Sequence, residues 1–255
     1  MNLHMTYDVA SGYRSGCQIA RRVSEHWAAE NLFCAACESD GVERARANTK
    51  AIDFACTRCP ATYQLKAGRH WNERRIPDAG YSAMMEAIQS DNVPNLLVLQ
   101  YSVEWQVENL MLIPSFFFNG SAIEKRNPLA ATARRAGWVG CNILLSAMPD
   151  VGKLRIVHNG TVFPRDAIRQ RYKQLQPLHT LAPTLRGWTL DVLRVIQGLS
   201  RREFRLEDIY AYEQRLLVLH PRNHNIRPKI RQQLQVLRDL RMLEFRGNGQ
   251  YTLFV

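Results

Sequence analysis

Four of the six cysteines fall in two C-x-x-C pairs, Cys34–Cys37 and Cys56–Cys59, with 18 residues between the pairs. A two-residue gap lets both thiolates of a turn face one ion, and zinc takes about four soft ligands in a tetrahedron. The spacing lies in the range of a four-thiolate zinc site; the alternative is four unrelated buried or redox cysteines. A site with four protein ligands keeps no open position, so a zinc held there is structural and not catalytic. Cys17 and Cys141 have no partner at metal spacing and read as core or loop thiols.

Asp53 stands in the apolar run Ala51-Ile52-Asp53-Phe54, where a charge is costly unless it has a task. Ten residues intervene before Gln64, and Lys66 follows two later, so on a strand both project from one face. If the two segments pair as a hairpin with the cysteine knuckle at its tip, Asp53, Gln64 and Lys66 converge. A carboxylate, a further oxygen ligand and a lysine are the set that places Mg²⁺ against a scissile phosphate. The metal neutralises charge and activates water, while Lys66 steadies the nucleophile or the developing phosphorane. The other reading leaves Gln64 and Lys66 on a solvated strand face.

The elements that must position these groups are legible from periodicity. Ile19, Val23 and Trp27 recur every four residues, an amphipathic helix over Ser15–Asn31. Strand-like runs follow at Ala51–Phe54 and Thr62–Lys66, then a helix over Ala79–Ser90. Leu96–Val103 and Val107–Ile113 read as buried strands, Leu154–Val162 as a hairpin turning at Asn159-Gly160, and Asp166–Leu175 as a helix. Gln176–Pro183 is the linker candidate. The loop Arg126–Asn142 carries a single large aromatic, Trp138, near Arg134 and Arg135. Loops of that composition are more often functional than core, although a tryptophan there can also fold back into the core.

Beyond the linker, helices are expected over Trp188–Gln197, Arg205–Leu219 and Ile226–Leu240, and two strands over Leu243–Phe254 around Gly-Asn-Gly. Three helices closed by a hairpin is the winged-helix order. The third helix then enters the major groove, with Arg227, Lys229, Arg231, Gln232 and Gln235 outward. Arginine suits guanine and glutamine suits adenine, phosphate contact being the alternative.

The charge agrees with a polyanionic partner, nucleic acid first and anionic membrane second: 34 basic against 23 acidic residues give +11. From Pro183 onward there are 13 Lys/Arg against 7 Asp/Glu, a higher basic density than in the preceding part. No apolar run approaches the roughly 18 residues a membrane span needs. With His4 and Asp8 the N-terminus does not read as a secretory signal. A cytoplasmic protein is expected, and in that compartment disulfides are not.

Taken in order, the knuckle, Asp53/Gln64/Lys66, the Trp138 loop and the terminal winged helix resemble the DpnI family of restriction endonucleases. The most specific pieces are the Trp138 loop, Asp78-Ala-Gly-Tyr81 and the segment Ile230–Asp239, and the likeness runs over nearly the whole chain. It implies an α/β (α+β) PD-(D/E)XK nuclease core with an inserted four-cysteine zinc knuckle over residues 1–182. A winged-helix DNA-binding domain then occupies 183–255. The activity implied is Mg²⁺-dependent cleavage of double-stranded DNA at GATC only when the adenine is N6-methylated, with both domains reading the methyl groups. By resemblance Asp53 is the metal carboxylate, Lys66 the motif lysine, and Cys34, Cys37, Cys56 and Cys59 the zinc ligands. Trp138 matches the methyl-sensing aromatic. Trp188 reads first as packing and second as a helper in methyl sensing.

One position departs from the family. Gln64 stands where a glutamate is expected, and an amide oxygen coordinates Mg²⁺ without bringing charge. Weaker metal affinity, a preference for Mn²⁺ or a slow enzyme is the consequence; other nucleases of the superfamily work with glutamine there. Glu25 or Glu30 of the first helix is the candidate for the missing carboxylate. A methyl is worth about 0.8 kcal/mol of apolar burial, so strict discrimination needs both methyls of a palindrome or a second reading domain. A monomer with no obligate protein partner is expected.

Overall fold

The computed structural model describes residues 1–46, 49, 51–70 and 74–254; Val255, the last residue of the expected C-terminal domain, lies outside them. In chain order the elements begin with α1 (Gly16–Asn31), β1 (Glu43–Arg44), β2 (Phe54–Ala55), β3 (Thr62–Gly68), β4 (Ile76–Gly80) and α2 (Tyr81–Gln89). There follow β5 (Asn95–Tyr101), β6 (Val107–Ile113), β7 (Ile123–Lys125), β8 (Gly140–Ile143), β9 (Leu154–His158), β10 (Thr161–Val162) and α3 (Arg165–Leu175). The last part holds α4 (Pro183–Gly198), β11 (Glu203–Arg205), α5 (Leu206–Tyr210), α6 (Glu213–Leu219), α7 (Ile226–Asp239), β12 (Leu243–Gly247) and β13 (Gln250–Leu253). Among the described residues no helix is long and apolar enough to cross a membrane.

The chain gathers into two compact units, neither continuous in sequence: Met1–Asn72 with Val93–Ser115 and Gly152–Gln176, and Glu73–Asn92 with Phe116–Val151 and Pro177–Val255. The first is built on a seven-stranded sheet of order β1-β2-β3-β5-β6-β9-β10. All its pairs are antiparallel except β3 with β5, which run parallel because the chain between them leaves the sheet and returns. The central strands β5 and β6 are buried on both faces through Leu96, Leu97, Leu99, Leu110 and Leu112, which is why they read as continuous apolar runs. Helix α1 buries Val23 and Trp27, and the Trp27 Nε1–H donates to the Asn2 carbonyl (2.7 Å). The β9–β10 turn has Asn159 and Gly160 both at positive φ, 47° and 73°, the mirror-image turn that matches strand twist.

The second unit contains a three-stranded sheet β4-β8-β7 and the winged helix, whose wing is the sheet β11-β13-β12. The sequence reading lacks strands β1, β4 and β7, and Ala79 and Gly80, expected to open a helix, close β4 instead. Four further details differ. Strand β11 was not foreseen; it adds a third strand to the wing. The expected single helix over Arg205–Leu219 is α5 and α6, broken at Ala211–Tyr212, where no glycine or proline announces it. The linker candidate is an ordered 3₁₀ turn, Gln176–Thr180, with Leu178 buried. The end of the Arg126–Asn142 loop is strand: β8 starts at Gly140.

Candidate active site and DNA-reading surfaces

The knuckle forms where α1 ends and where the β2–β3 hairpin turns. The four thiol sulfurs lie within 4.8 Å of one another, with Cys34–Cys59 at 3.5 Å and Cys37–Cys56 at 3.6 Å. A zinc–sulfur bond of roughly 2.3 Å gives a tetrahedron edge of about 3.8 Å, so the donor set fits the ion. The Tyr63 hydroxyl accepts the Ala35 N–H (3.1 Å) and sits 3.1 Å from the Cys34 sulfur. From α3, Arg169 donates to the carbonyls of Cys34 (3.2 Å) and Ser39 (2.9 Å). Burial opposes ionisation of Cys56, yet the N–H groups of Arg58 and Cys59 and the Cys37 thiol bring it down to about 6. Burial pushes Cys34 up. A cation among the four resolves that conflict by stabilising every thiolate. Because two ligands follow α1 and two sit at the hairpin tip, the cluster pins α1 to the hairpin.

Asp53 precedes β2 in that hairpin. Its N–H donates to the Tyr63 carbonyl (2.9 Å), and its Oδ2 accepts the Leu65 N–H (2.7 Å). Gln64 and Lys66 flank Leu65 on the opposite face of β3, both half-buried. The expected hairpin with the knuckle at its tip is present, with Asp53 on one arm and Gln64 and Lys66 on the other. Burial raises the Asp53 carboxyl, the Glu25 charge adds to the rise, and the Leu65 N–H, Arg21 and Lys66 oppose it. Two of these partners come from α1. Arg21 Nε donates to Glu25 Oε1 (2.6 Å), the Arg21 side chain largely exposed and that of Glu25 mostly covered. Glu30 instead faces His26 (3.2 Å) and is exposed. Of the two acids on the first helix, Glu25 is the one whose charge reaches Asp53. A carboxyl made less acidic chiefly by burial, with a second carboxylate adding to the rise, is an arrangement that a divalent cation stabilises.

In the second unit, Trp138 is half-buried at the end of its loop, with Arg134 and Arg135 exposed. The Arg135 guanidinium lies 4.8 Å from the Trp138 ring centre, within cation–π range. Trp188, on α4, is buried (5 % exposed) and its ring stacks on His220 at 3.5 Å. That placement supports packing, the first of its two readings, and leaves little ring surface for a base. On α7, Arg227, Arg231, Gln232 and Gln235 are exposed as expected. Lys229 is not among the outward set: it is half-buried, its Nζ 5.7 Å from the Trp188 ring centre. At 100° per residue it falls beside the inward Ile226 and Ile230, on the edge away from Arg227. The two arginines are held by α5 and α6. Arg231 Nε donates to the Tyr210 hydroxyl (2.5 Å), Arg227 pairs with Glu213 (2.8 Å), and both guanidinia face the Tyr210 ring.

Sequence reasoning passed over Tyr63, Tyr210 and the pair Asp191–His220. Asp191 is buried and accepts from Ser121 (2.5 Å) and Asn119 (3.1 Å), with His220 Nε2 at 2.8 Å. Its signal in the sequence, an acid within an apolar run, is the one that marked Asp53.

A mixed α/β sheet unit with a four-cysteine cluster, joined in one chain to a basic winged helix, defines a DNA-handling protein. Family comparison makes it specific. The DpnI family, described as the Dam-replacing family, matches residues 1–181, and its Dam-replacing HTH domain matches residues 184–252. The chain belongs to the DpnI family and is a DNA-binding restriction endonuclease.

Proposed function

We propose that this enzyme cleaves double-stranded DNA at GATC sites whose adenine carries an N6-methyl group, using Mg²⁺ or Mn²⁺ held by Asp53 and Gln64. The observation that carries the reading is the Asp53 carboxylate, fixed by the Leu65 N–H within a hairpin that also bears Gln64 and Lys66. It stands in a chain matched to a nuclease family over 1–181. A divalent ion there supplies charge neutralisation and an activated water. Asp53 offers a carboxylate oxygen, Gln64 a neutral amide oxygen, and Glu25 the charge that Gln64 lacks. Lys66 steadies the attacking oxygen or the charge developing on the phosphate. The four cysteines hold one structural Zn²⁺. Residues 1–182 are the nuclease domain and 183–255 the winged helix.

Methyl reading falls to Trp138, with Arg134 and Arg135 on phosphates or guanine. In the winged helix Arg227, Arg231, Gln232 and Gln235 face the major groove. A second reading, a weakly cleaving or non-cleaving reader of adenine-methylated DNA, is favoured by Gln64 in place of a carboxylate. One GATC-containing plasmid, prepared with and without adenine methylation and digested in Mg²⁺ and in Mn²⁺, separates them. Discrete fragments from the methylated plasmid alone are expected. No cleavage in either metal, with methyl-selective gel shifts retained, would leave the reader.

A further inference from the structure

The Trp138 indole lies across two glycines. Gly80 and Gly140 face each other in the β4–β8 register. A Cβ built at Gly140 would meet Trp138 Cη2 and Cζ3 at 2.8 Å, whereas one at Gly80 would meet Nε1 at 3.5 Å. The six-membered end of the indole therefore rests where a side chain at 140 would stand, and the pyrrole edge passes Gly80 at ordinary contact distance. Trp138 is two residues before Gly140, so its ring reaches forward over the start of the strand that follows it. Arg135 lies against the ring (4.8 Å), and the Trp138 carbonyl accepts the Leu129 N–H (2.9 Å). Gly140 has no need of its conformational freedom, since its φ is not among the positive ones. What it supplies is space.

We infer that Gly140 is a specificity-determining positioning residue: its missing Cβ leaves room for the far end of the indole, so that the ring is seated across the Gly80–Gly140 pair and the surface that meets the methyl group is fixed. The inference rests on Trp138 being the methyl contact. Magnitudes show why fixing matters. One buried methyl is worth about fourfold in affinity. Immobilising a free side chain on binding costs roughly twofold to tenfold. A ring that had to be ordered by the DNA would lose most of its selectivity; a ring already seated keeps it.

The test uses the full chain labelled with 5-fluorotryptophan, the Trp138 resonance being assigned by its loss in Trp138→Phe. Gly140→Ala is expected to shift that resonance and to lower the binding preference for methylated over unmethylated GATC duplex, measured in Ca²⁺, by roughly fourfold or more. Gly80→Ala, with room for its Cβ, is expected to keep the preference within about twofold. Phenylalanine lacks the far end of the indole, so Gly140→Ala in the Trp138→Phe background is expected to add nothing. An unmoved resonance, or an equal loss in both backgrounds, overturns the role of Gly140 while leaving Trp138 as the methyl contact. If Trp138→Ala keeps the full methyl preference, the reading of Trp138 fails and the inference falls with it.

Discussion

Asp53 and Asp191 look alike in the sequence: each is an acid inside an apolar run. The structure makes them opposites. Asp191 is surrounded by groups that satisfy it, Ser121, Asn119 and His220, within the second unit. Asp53 holds the Leu65 N–H but lies within reach of another carboxylate, Glu25, and is harder to ionise than an ordinary aspartate, chiefly through burial. A buried carboxylate whose donors come from the fold ties elements together. One left beside a second carboxylate gains most when a cation arrives. On the proposed function, the difference separates an acid that stabilises, Asp191, from one that works, Asp53.

The largest effect that would break this comparison is on cutting. Asp53→Asn is expected to lower cleavage by roughly 10³-fold, since a metal supplies several kcal/mol of charge stabilisation, with methyl-selective gel shifts retained. The same variant is not expected to lower the melting temperature at neutral pH. A carboxyl raised in the folded state is destabilising once pH exceeds its unfolded value, so removing its charge relieves that cost. A large loss of stability with cutting intact would make Asp53 the structural acid.

Asp191→Ala should do the reverse. It leaves two donors and His220 without their acceptor, which costs about 3 kcal/mol and lowers the melting temperature by roughly 6–12 °C, read by calorimetry. Cleavage per folded molecule is expected to hold at a temperature well below the transition. Gln64→Glu, the smallest change, adds a charge to the proposed metal site. Its expected outcome is about tenfold tighter Mg²⁺ binding by titration calorimetry on the DNA-free protein, with a smaller gap between Mg²⁺ and Mn²⁺ rates. Unchanged affinity would mean that Glu25 already supplies the charge.

Much of this molecule was determined by short-range pattern. The C-x-x-C spacing gave the knuckle because two thiols on one turn reach one ion whatever surrounds them. The period-two placing of Gln64 and Lys66, the Asn159-Gly160 turn and the inward stripe of α7 follow from backbone geometry in the same way. The break between α5 and α6, the third wing strand and the turn of Lys229 toward Trp188 did not, because packing chose them over local propensity. Tertiary structure alone also separated Asp53 from Asp191, since their neighbours come from distant parts of the chain. It alone seated Trp138 on Gly80 and Gly140: 80 and 138 are far apart in sequence, and a missing Cβ has meaning only once another side chain occupies its place.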